Sequence, residues 1–278
     1  LAPAGHDVLK RAGIPALPSP ARVARAMGML ADYSEALAER HRTDEMLAIP
    51  DLPTYELPPG PRTLDEHEAK GLAALFGIPV TRDVLLKPDR VADAVVGLRY
   101  PLAVKIVSRD IAHKTDIDAV RLNVRDPAEL ARAASAVLAN ARRAHPDARI
   151  SGVLASEMVD GALETIVGVM NDAAFGPVVA LGMGGVLAES LRDITFRVAP
   201  FGLDTARRMI GELRAASLFA EVRGKPARDI EALAQALVGV STMAWILRER
   251  IAAIDFNPLP VRARGEGVVA ADALIVLR

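Results

Sequence analysis

A lysine in the middle of an apolar run constrains this chain more than any other feature. Lys105 stands between Val104 and Ile106, in a segment, 101–107, whose other members are all apolar. The pattern predicts a buried strand that carries one ammonium group. Since removing a lone ammonium from water costs several kcal/mol, such a strand needs an anionic partner. A nucleotide phosphate is one candidate, and the alternatives are a protein carboxylate or a side chain that reaches water at the strand end.

Oxygen-bearing side chains gather near the C-terminus. Alternation of polar and apolar residues places Asp255 and Asn257 on one face of a predicted strand. Asp272 lies on a second predicted strand, which follows a glycine-containing turn at 265–267. An antiparallel hairpin would bring the three side chains together, and oxygen ligands of this kind suit Mg²⁺. Turn-forming acids and an Asn-Pro turn would explain the same residues without a metal.

The order of predicted elements indicates an α+β protein with antiparallel sheets. The first helix of the main domain opens with Thr63-Leu-Asp-Glu66, which matches a capping box. The strands are predicted at 80–86, 102–107, 120–124, 150–158, 164–170, 178–181 and 194–198, and the helices at 63–76, 88–98, 127–145, 204–213 and 227–248.

The first residues of the chain form a separate piece. They contain one predicted strand at 13–17 and one helix at 20–40, with Ser19 as its N-cap. One strand and one helix make no core of their own. A proline-rich stretch at 46–62 is predicted to be an extended linker, and the main domain occupies 63–278.

Composition narrows the classes of protein. A net charge of −1 and an aromatic content of 4% argue against a nucleic-acid-binding surface, which needs basic and stacking residues. No apolar run approaches the roughly 20 residues of a membrane span, so we expect no membrane association. The absence of cysteine excludes disulfides and thiolate metal sites and fits a cytoplasmic protein. Because the chain begins with Leu1 rather than methionine, we expect it to be part of a longer protein.

Several motifs occur in the order found in one enzyme family. They are Lys105, the run His113-Lys-Thr-Asp116, the stretch 153–168, the stretch 175–185 followed by 192–200, and Ile254-Asp-Phe-Asn-Pro-Leu259 with Asp272. Together they resemble the ATP-grasp module of the nucleoside-diphosphate-forming acyl-CoA synthetases, which include the ADP-forming acetate–CoA ligases. The resemblance runs from about Thr63 to the C-terminus and implies an ATP-grasp fold of two α+β subdomains. Residues 1–45 resemble the last strand and helix of a CoA-ligase-like α/β subdomain.

The resemblance also implies an activity. The family converts an acid, CoA and ATP into acyl-CoA, ADP and phosphate, through an acyl phosphate and a phosphohistidine. This chain would supply the sites for ATP, ADP and Mg²⁺. CoA would bind to a CoA-ligase portion in the same longer chain or in a partner subunit. We expect a cytoplasmic acid–thiol ligase, for which a homo-oligomer is one possible assembly.

Residue-by-residue matching to the family motifs implies roles in nucleotide binding. Lys105 corresponds to the lysine that contacts the nucleotide phosphates. Glu157 and Val159 belong to the hinge that reads the adenine edge through its backbone. Asp160 and Glu164 correspond to residues that approach adenine and ribose. Without a nucleotide, the same stretch describes a strand that ends in a turn.

The same matching implies a metal site and a phosphoryl carrier. Asn257 and Asp272 correspond to the magnesium ligands, with Asp255 supporting or sharing the site. His113 corresponds to the histidine that accepts or relays the phosphoryl group, and a neutral imidazole is available as a nucleophile near pH 7. The alternative is a loop histidine that forms a hydrogen bond to Asp116.

The chain departs from the family at one point, because Asp118 and Ala119 stand where a glycine pair is expected. A carboxylate there would repel phosphate oxygens, and the added Cβ atoms restrict positive φ angles. Three hypotheses therefore remain open. The chain is a synthetase module, a regulatory ligand-binding module of a multidomain protein acetyltransferase without phosphoryl transfer, or a degenerate structural or interface domain.

Overall fold

The computed structural model describes residues 3–17, 19–46, 57–91, 97–111, 114–185, 193–221, 224 and 226–278. The chain falls into two compact units, Leu1–Ala48 and Ile49–Arg278. In the first unit the structure shows two helices, α1 (Pro3–Arg11) and α2 (Pro20–Met46).

The first unit differs from the sequence-based prediction at its start. Residues 14–17, predicted as part of a strand, are not in a strand. Helix α1 takes up the preceding residues, and the described part of this unit contains no second strand for them to pair with. The predicted helix is present as α2 and extends past Arg40 to Met46. Ser19 is confirmed as its N-cap, since its Oγ accepts a hydrogen bond from the Arg22 N–H at 3.3 Å.

The second unit contains two antiparallel sheets and the helices that cover them. Its strands are β1 (Arg62–Leu64), β2 (Asp83–Leu86), β3 (Leu102–Ser108), β4 (Val120–Val124), β5 (Ile150–Glu157), β6 (Leu163–Asp172), β7 (Gly176–Met183), β8 (Ile194–Val198), β9 (Ile251–Val261) and β10 (Leu274–Leu277). Its helices are α3 (Glu66–Leu75), α4 (Pro127–Ala144), α5 (Leu203–Gly211) and α6 (Ile230–Ile246). The predicted α+β class with antiparallel sheets is thereby confirmed.

The larger sheet has six strands in the order β1, β10, β9, β6, β7, β8. Helices α3, α5 and α6 pack against it, and its core includes Ile254 and Phe256 of β9. Because successive side chains of a strand point to opposite faces, the face away from this core carries Asp255 and Asn257. Burial agrees with that alternation, since Phe256 is fully buried whereas Asn257 is exposed.

The smaller sheet has four strands in the order β2, β5, β3, β4, with α4 packed on one face. Leu102, Val104 and Ile106 of β3 belong to the core that lies between this sheet and α4. Lys105 is out of phase with these residues and therefore lies on the face opposite α4. It is nevertheless buried, as predicted.

The capping box at the start of α3 lies two residues beyond its predicted position. Thr63 pairs with Val276 as part of β1, so it is not the N-cap. The cap is Asp65, whose Oδ1 accepts from the Glu68 N–H at 3.0 Å while Glu68 Oε2 accepts from the Asp65 N–H at 3.0 Å. Glu66, the acid of the predicted capping box, therefore does not take part in the observed cap.

Two sequence predictions fall outside what the structure describes. The predicted helix at 88–98 includes residues 92–96, and the predicted phosphoryl carrier His113 is also outside the described residues. Among the helices that the structure describes, none has the length and apolar character needed to cross a membrane.

Gly152 of β5 gives a test of the packing in the smaller sheet. A Cβ at this position would lie 2.4 Å from the Leu86 carbonyl oxygen, which belongs to the backbone of β2. We expect Gly152→Ala to lower the free energy of unfolding by about 1–3 kcal/mol, because that backbone must shift. Gly71→Ala is the matched control, since nothing lies within 4 Å of its Cβ position in α3. Denaturant unfolding should show the control unchanged or slightly stabilised, and equal stabilities for the two variants would contradict the described pairing.

Candidate functional site

Lys105 is held by protein groups from two other parts of the chain. Its Nζ donates to Glu66 Oε1 at 2.9 Å, to the Ala271 carbonyl at 3.1 Å and to Asp272 Oδ2 at 3.2 Å. Glu66 lies in the first turn of α3, and Asp272 lies just before β10. One ammonium therefore connects the four-stranded sheet to elements of the six-stranded sheet. The anionic partners that its burial required are carboxylates of the protein.

The surroundings keep the Lys105 side chain charged. Burial alone would lower the pKa of the amine, but the charges of Glu66 and Asp272 raise it above its ordinary value. The Lys105 side chain is 11% exposed, and that of Asp272 is 34% exposed. A fixed positive charge thus lies at a place that a ligand can reach.

Glu66 lies at the centre of three lysines. Its Oε1 is 3.0 Å from Lys70 Nζ and 2.9 Å from Lys105 Nζ, and its Oε2 is 2.7 Å from Lys114 Nζ. Burial would raise the pKa of this carboxyl, but Lys105, Lys114 and Lys70 together hold it well below its ordinary range. We call Glu66, the three lysines and Asp272 the lysine–carboxylate cluster. Only Lys105 and Asp272 of this cluster had been assigned a role from the sequence.

The predicted oxygen ligands lie beside this cluster. The antiparallel pairing of β9 and β10 is confirmed. The placement of Asp272 on the second strand was wrong, because β10 begins only at Leu274 and Asp272 lies in the segment before it. Asp255 is close enough to Asp272 that its pKa is raised, first by burial and then by the neighbouring negative charge. The Ala271 N–H donates to the Pro258 carbonyl at 3.1 Å, which holds the residue after Asn257 next to the Ala271–Asp272 segment.

The oxygens of Asp255, Asn257 and Asp272 suit a Mg²⁺ site that phosphates and waters complete, rather than a site built from protein ligands alone. In the described ranges, no group of three or more His, Cys, Asp or Glu side chains is placed to hold a metal ion. Mg²⁺ is commonly bound through one or two carboxylates, with phosphate oxygens and waters completing its shell. Asp255, Asp272 and the amide of Asn257 can provide such a partial set. A divalent cation would also relieve the repulsion that raises the pKa of Asp255.

The hinge was predicted at the end of β5, where protein groups already engage the Glu157 side chain. Its carboxylate accepts hydrogen bonds from Arg82 and Arg99, and the Arg99 backbone N–H is the largest cause of its lowered pKa. The Glu157 and Met158 N–H groups donate to the carbonyls of Arg82 and Pro101. Among the residues described, nothing accepts a hydrogen bond from the Val159 N–H.

Asp160 and Glu164 are both exposed. The Glu164 carbonyl accepts from the Gly184 N–H at 2.8 Å, and a Cβ on Gly185 would lie 2.7 Å from Glu164 Oε2. Gly185 also has a φ of +59°. The glycines after β7 therefore allow that loop to lie directly on Glu164, a contact that the sequence did not predict.

The turn that follows His113 contains a residue with a positive φ angle, a conformation that glycine usually adopts. Lys114 and Ala119 close it through an Ala119 N–H to Lys114 carbonyl bond of 2.9 Å. Asp118 adopts a φ of 56°, a conformation that Asp tolerates better than most side chains. Its carboxylate is 77% exposed and pairs with Arg121 at 3.4 Å. The Asp118 and Ala119 substitutions are thus accommodated in the fold.

The two antiparallel sheets meet at a buried lysine and its carboxylate partners, an arrangement that fits a protein of the ATP-grasp class. The family model described as an ATP-grasp domain matches residues 57–277. The chain belongs to this family, and within it to the group of the ADP-forming acetate–CoA ligases, in which it corresponds to the β part.

Two relatives show how the chain corresponds to that enzyme. It is 38% identical over 220 residues to the acetate–CoA ligase [ADP-forming] II subunit beta of Pyrococcus furiosus, covering 79% of this chain and 93% of the relative. It is 35% identical over 271 residues to the acetate–CoA ligase [ADP-forming] I of Archaeoglobus fulgidus, covering 94% of this chain and 39% of that relative. The chain therefore spans nearly all of a β subunit and less than half of a longer ligase.

Solved structures of the dinucleotide-forming acetyl-coenzyme A synthetase 1 of Ca. Korarchaeum cryptofilum are similar to this chain. The complex with coenzyme A and Ca-AMPCP has a TM-score of 0.73 at 37% identity, covering 78% of this chain and 94% of that chain. A second structure, with coenzyme A and Mg-AMPPCP, has its phosphohistidine segment pointing towards the nucleotide binding site. It has a TM-score of 0.67 at 34% identity, covering 78% of this chain and 93% of that chain.

Proposed function

We propose that this chain binds ATP and Mg²⁺ as the nucleotide-binding part of an ADP-forming acyl-CoA synthetase. The complete enzyme would convert an acid, CoA and ATP into acyl-CoA, ADP and phosphate. One observation carries the proposal, namely that the Lys105 ammonium lies 3.2 Å from Asp272, next to Asp255 and the segment of Asn257. This proximity of an ammonium suited to phosphate and of oxygens suited to Mg²⁺ supports the proposal.

The spacing along β3 supports a site that holds a whole nucleotide. Glu157 pairs with Leu102, and Lys105 is three residues further along the same strand, about 10 Å away at the usual rise of a strand. We place the phosphates at Lys105 and the adenine at the hinge, where the Val159 N–H remains available as a donor. The exposed Asp160 and Glu164 are then proposed to contact adenine and ribose.

Asn257, Asp272 and Asp255 are the residues that would hold Mg²⁺. When bound, the ion offsets the negative charge of the phosphates during phosphoryl transfer. The protein contributes orientation, because Lys105 keeps the Asp272 carboxylate in place through a bond to Oδ2 and the Ala273 N–H donates to Oδ1 at 2.8 Å.

His113 is the proposed phosphoryl carrier. A ring nitrogen of the neutral imidazole would attack the γ-phosphorus, the bond to the bridging oxygen would break, and ADP would leave with that electron pair. The N-phosphoryl group would then pass to the CoA-ligase portion, in the same longer protein or in a partner subunit, where an acyl phosphate forms and CoA displaces the phosphate. Support comes from Lys114, the next residue in the sequence, which belongs to the lysine–carboxylate cluster.

Labelling with γ-³²P-ATP tests the proposed carrier. We expect the chain, incubated with Mg-ATP, to acquire acid-labile phosphate, and we expect His113→Ala to lose at least nine-tenths of it. His145→Ala is the matched control, since this histidine is exposed at the end of α4 and should keep the label. Equal labelling of the parent and His113→Ala would contradict the assignment of His113.

A regulatory module without phosphoryl transfer is the second candidate function. It is favoured by Asp118 and Ala119, which replace the glycine pair of the family. Such a module would bind Mg-ATP in calorimetry but acquire no label. A chain that binds neither ATP nor GTP would instead be a structural domain.

A further inference from the structure

The three lysines of the cluster use their hydrogen-bond donors unequally. An ammonium group has three donors. Lys70 Nζ lies 3.0 Å from Glu66, 2.8 Å from Thr81 Oγ1 and 2.8 Å from Asp83 Oδ2, and its side chain is only 3% exposed. Two of the Lys70 donors are used by Thr81 and Asp83, and Glu66 completes its ionic surroundings, so this enclosed lysine serves the fold.

Lys114 is the most open of the three. Among the described residues its Nζ donates one hydrogen bond, to Glu66 Oε2 at 2.7 Å, and Asp272 Oδ1 lies 4.0 Å away. Its side chain is 17% exposed, compared with 11% for Lys105. The ammonium thus keeps donors that the described part of the protein does not use, on the side of the cluster where Asp272 lies.

Lys105 and Lys114 approach the same two carboxylates. On Glu66 they use different oxygens, Oε1 and Oε2, and on Asp272 they face different oxygens as well, Oδ2 and Oδ1. Two ammonium groups that share carboxylate partners repel each other, and the anions between them offset that repulsion. Glu66 is suited to that role because its side chain is 1% exposed and lies in the first turn of α3, where the helix dipole favours a carboxylate.

We propose that Lys114 is a second phosphate-binding cation of the nucleotide site and that Glu66 is the residue that positions Lys105 and Lys114 side by side. This inference rests on the proposed function. We expect Glu66 itself to contact no ligand, because its side chain is 1% exposed and both of its oxygens are engaged by lysines. Asp272 is the more exposed of the two carboxylates, so it is the partner that the lysines can exchange for phosphate oxygens.

Calorimetric binding of two ligands tests the role of Lys114. The ligands are a non-hydrolysable ATP analogue with Mg²⁺, and AMP, which lacks the β- and γ-phosphates. We expect Lys114→Met to weaken binding of the analogue about ten- to a hundredfold, which is the affinity that one charge-assisted hydrogen bond contributes. The affinity for AMP should stay within about twofold of the parent value. Lys87→Met removes an ammonium from an exposed position and should change neither affinity.

A double-mutant cycle tests the role of Glu66 as a positioning residue. Glu66→Gln should weaken binding of the analogue but not of AMP. In the Glu66→Gln background, Lys114→Met should cost less affinity than it does alone, because part of the Glu66 effect acts through the Lys114 ammonium. A purely structural role would instead lower both affinities. If Glu66→Gln does not fold, Lys114→Met alone decides, because Glu66 keeps Lys70 and Lys105 in that variant.

The outcomes separate this inference from the proposed function. If Lys114→Met binds the analogue as the parent does while Lys105→Met does not, the inference is overturned and the nucleotide site stands. If the parent chain binds neither the adenine nor the guanine triphosphate analogue, both are overturned.

Discussion

Replacing Glu66 by glutamine is expected to lower the free energy of unfolding at pH 7 by about 3–5 kcal/mol, the usual cost of removing one partner from a buried charged group. The carboxylate contacts three ammonium groups and is 1% exposed, so its loss leaves three buried or partly buried lysines with only Asp83 and Asp272 as anionic partners among the described residues. Denaturant unfolding measures the change. Glu266→Gln is the control, because this exposed residue should change stability by less than about 0.5 kcal/mol.

The effect of Glu66→Gln on the free energy of unfolding is expected to depend on pH. The pKa of Glu66 is lower in the folded chain than in the unfolded chain, where a glutamate has a pKa of about 4.3. Ionised Glu66 therefore stabilises the fold above about pH 4.3, and this contribution is lost as the pH falls toward the lower folded pKa. The stability difference between the parent and Glu66→Gln should shrink between about pH 5 and pH 2. A difference that stays constant over this range would contradict the ionised, lysine-bound state of Glu66.

Replacing Lys105 by methionine is expected to weaken binding of a Mg-ATP analogue at least about a hundredfold, because it removes a partly desolvated cation from the phosphate end of the site. Glu66 keeps Lys70 and Lys114 as partners, so the loss of stability should be smaller than for Glu66→Gln. Transfer of phosphate to His113 should fall with binding.

Calorimetry with AMP and with the Lys87→Met variant gives the controls for Lys105→Met. The proposed site predicts that AMP affinity is retained, since the hinge at Glu157 and Val159 lies about 10 Å along the strand from the substitution. An analogue affinity within threefold of the parent value would show that Lys105 does not contact the phosphates.

Much of the second unit could be predicted from local patterns in the sequence. Strand β8, Ile194–Val198, has its predicted bounds, and β3 extends only one residue beyond its predicted end. The hairpin of β9 and β10 was indicated by its alternation and by the glycines of its turn. These elements follow from period-two patterning and turn chemistry, which neighbouring residues determine.

The lysine–carboxylate cluster could not be predicted in the same way. Glu66 and Lys70 are one helical turn apart, a spacing that indicates an ordinary exposed ion pair. In the structure Glu66 is instead buried against Lys105 and Lys114, which come from distant parts of the chain. Lys70 is buried beside it and donates to Thr81 and Asp83. The strand predicted at 13–17 was wrong for a related reason, since pairing with another strand decides whether an extended segment becomes part of a sheet.

Because the Lys105 ammonium joins α3, β3 and the segment before β10, it acts as a crosslink between the two sheets. Any motion that separates the sheets at this point must first break those bonds. A triphosphate that binds at the proposed site would have to displace a carboxylate from Lys105. Asp272 would then have two opposed effects at the proposed site, since it competes with phosphate for Lys105 and also supplies an oxygen for Mg²⁺.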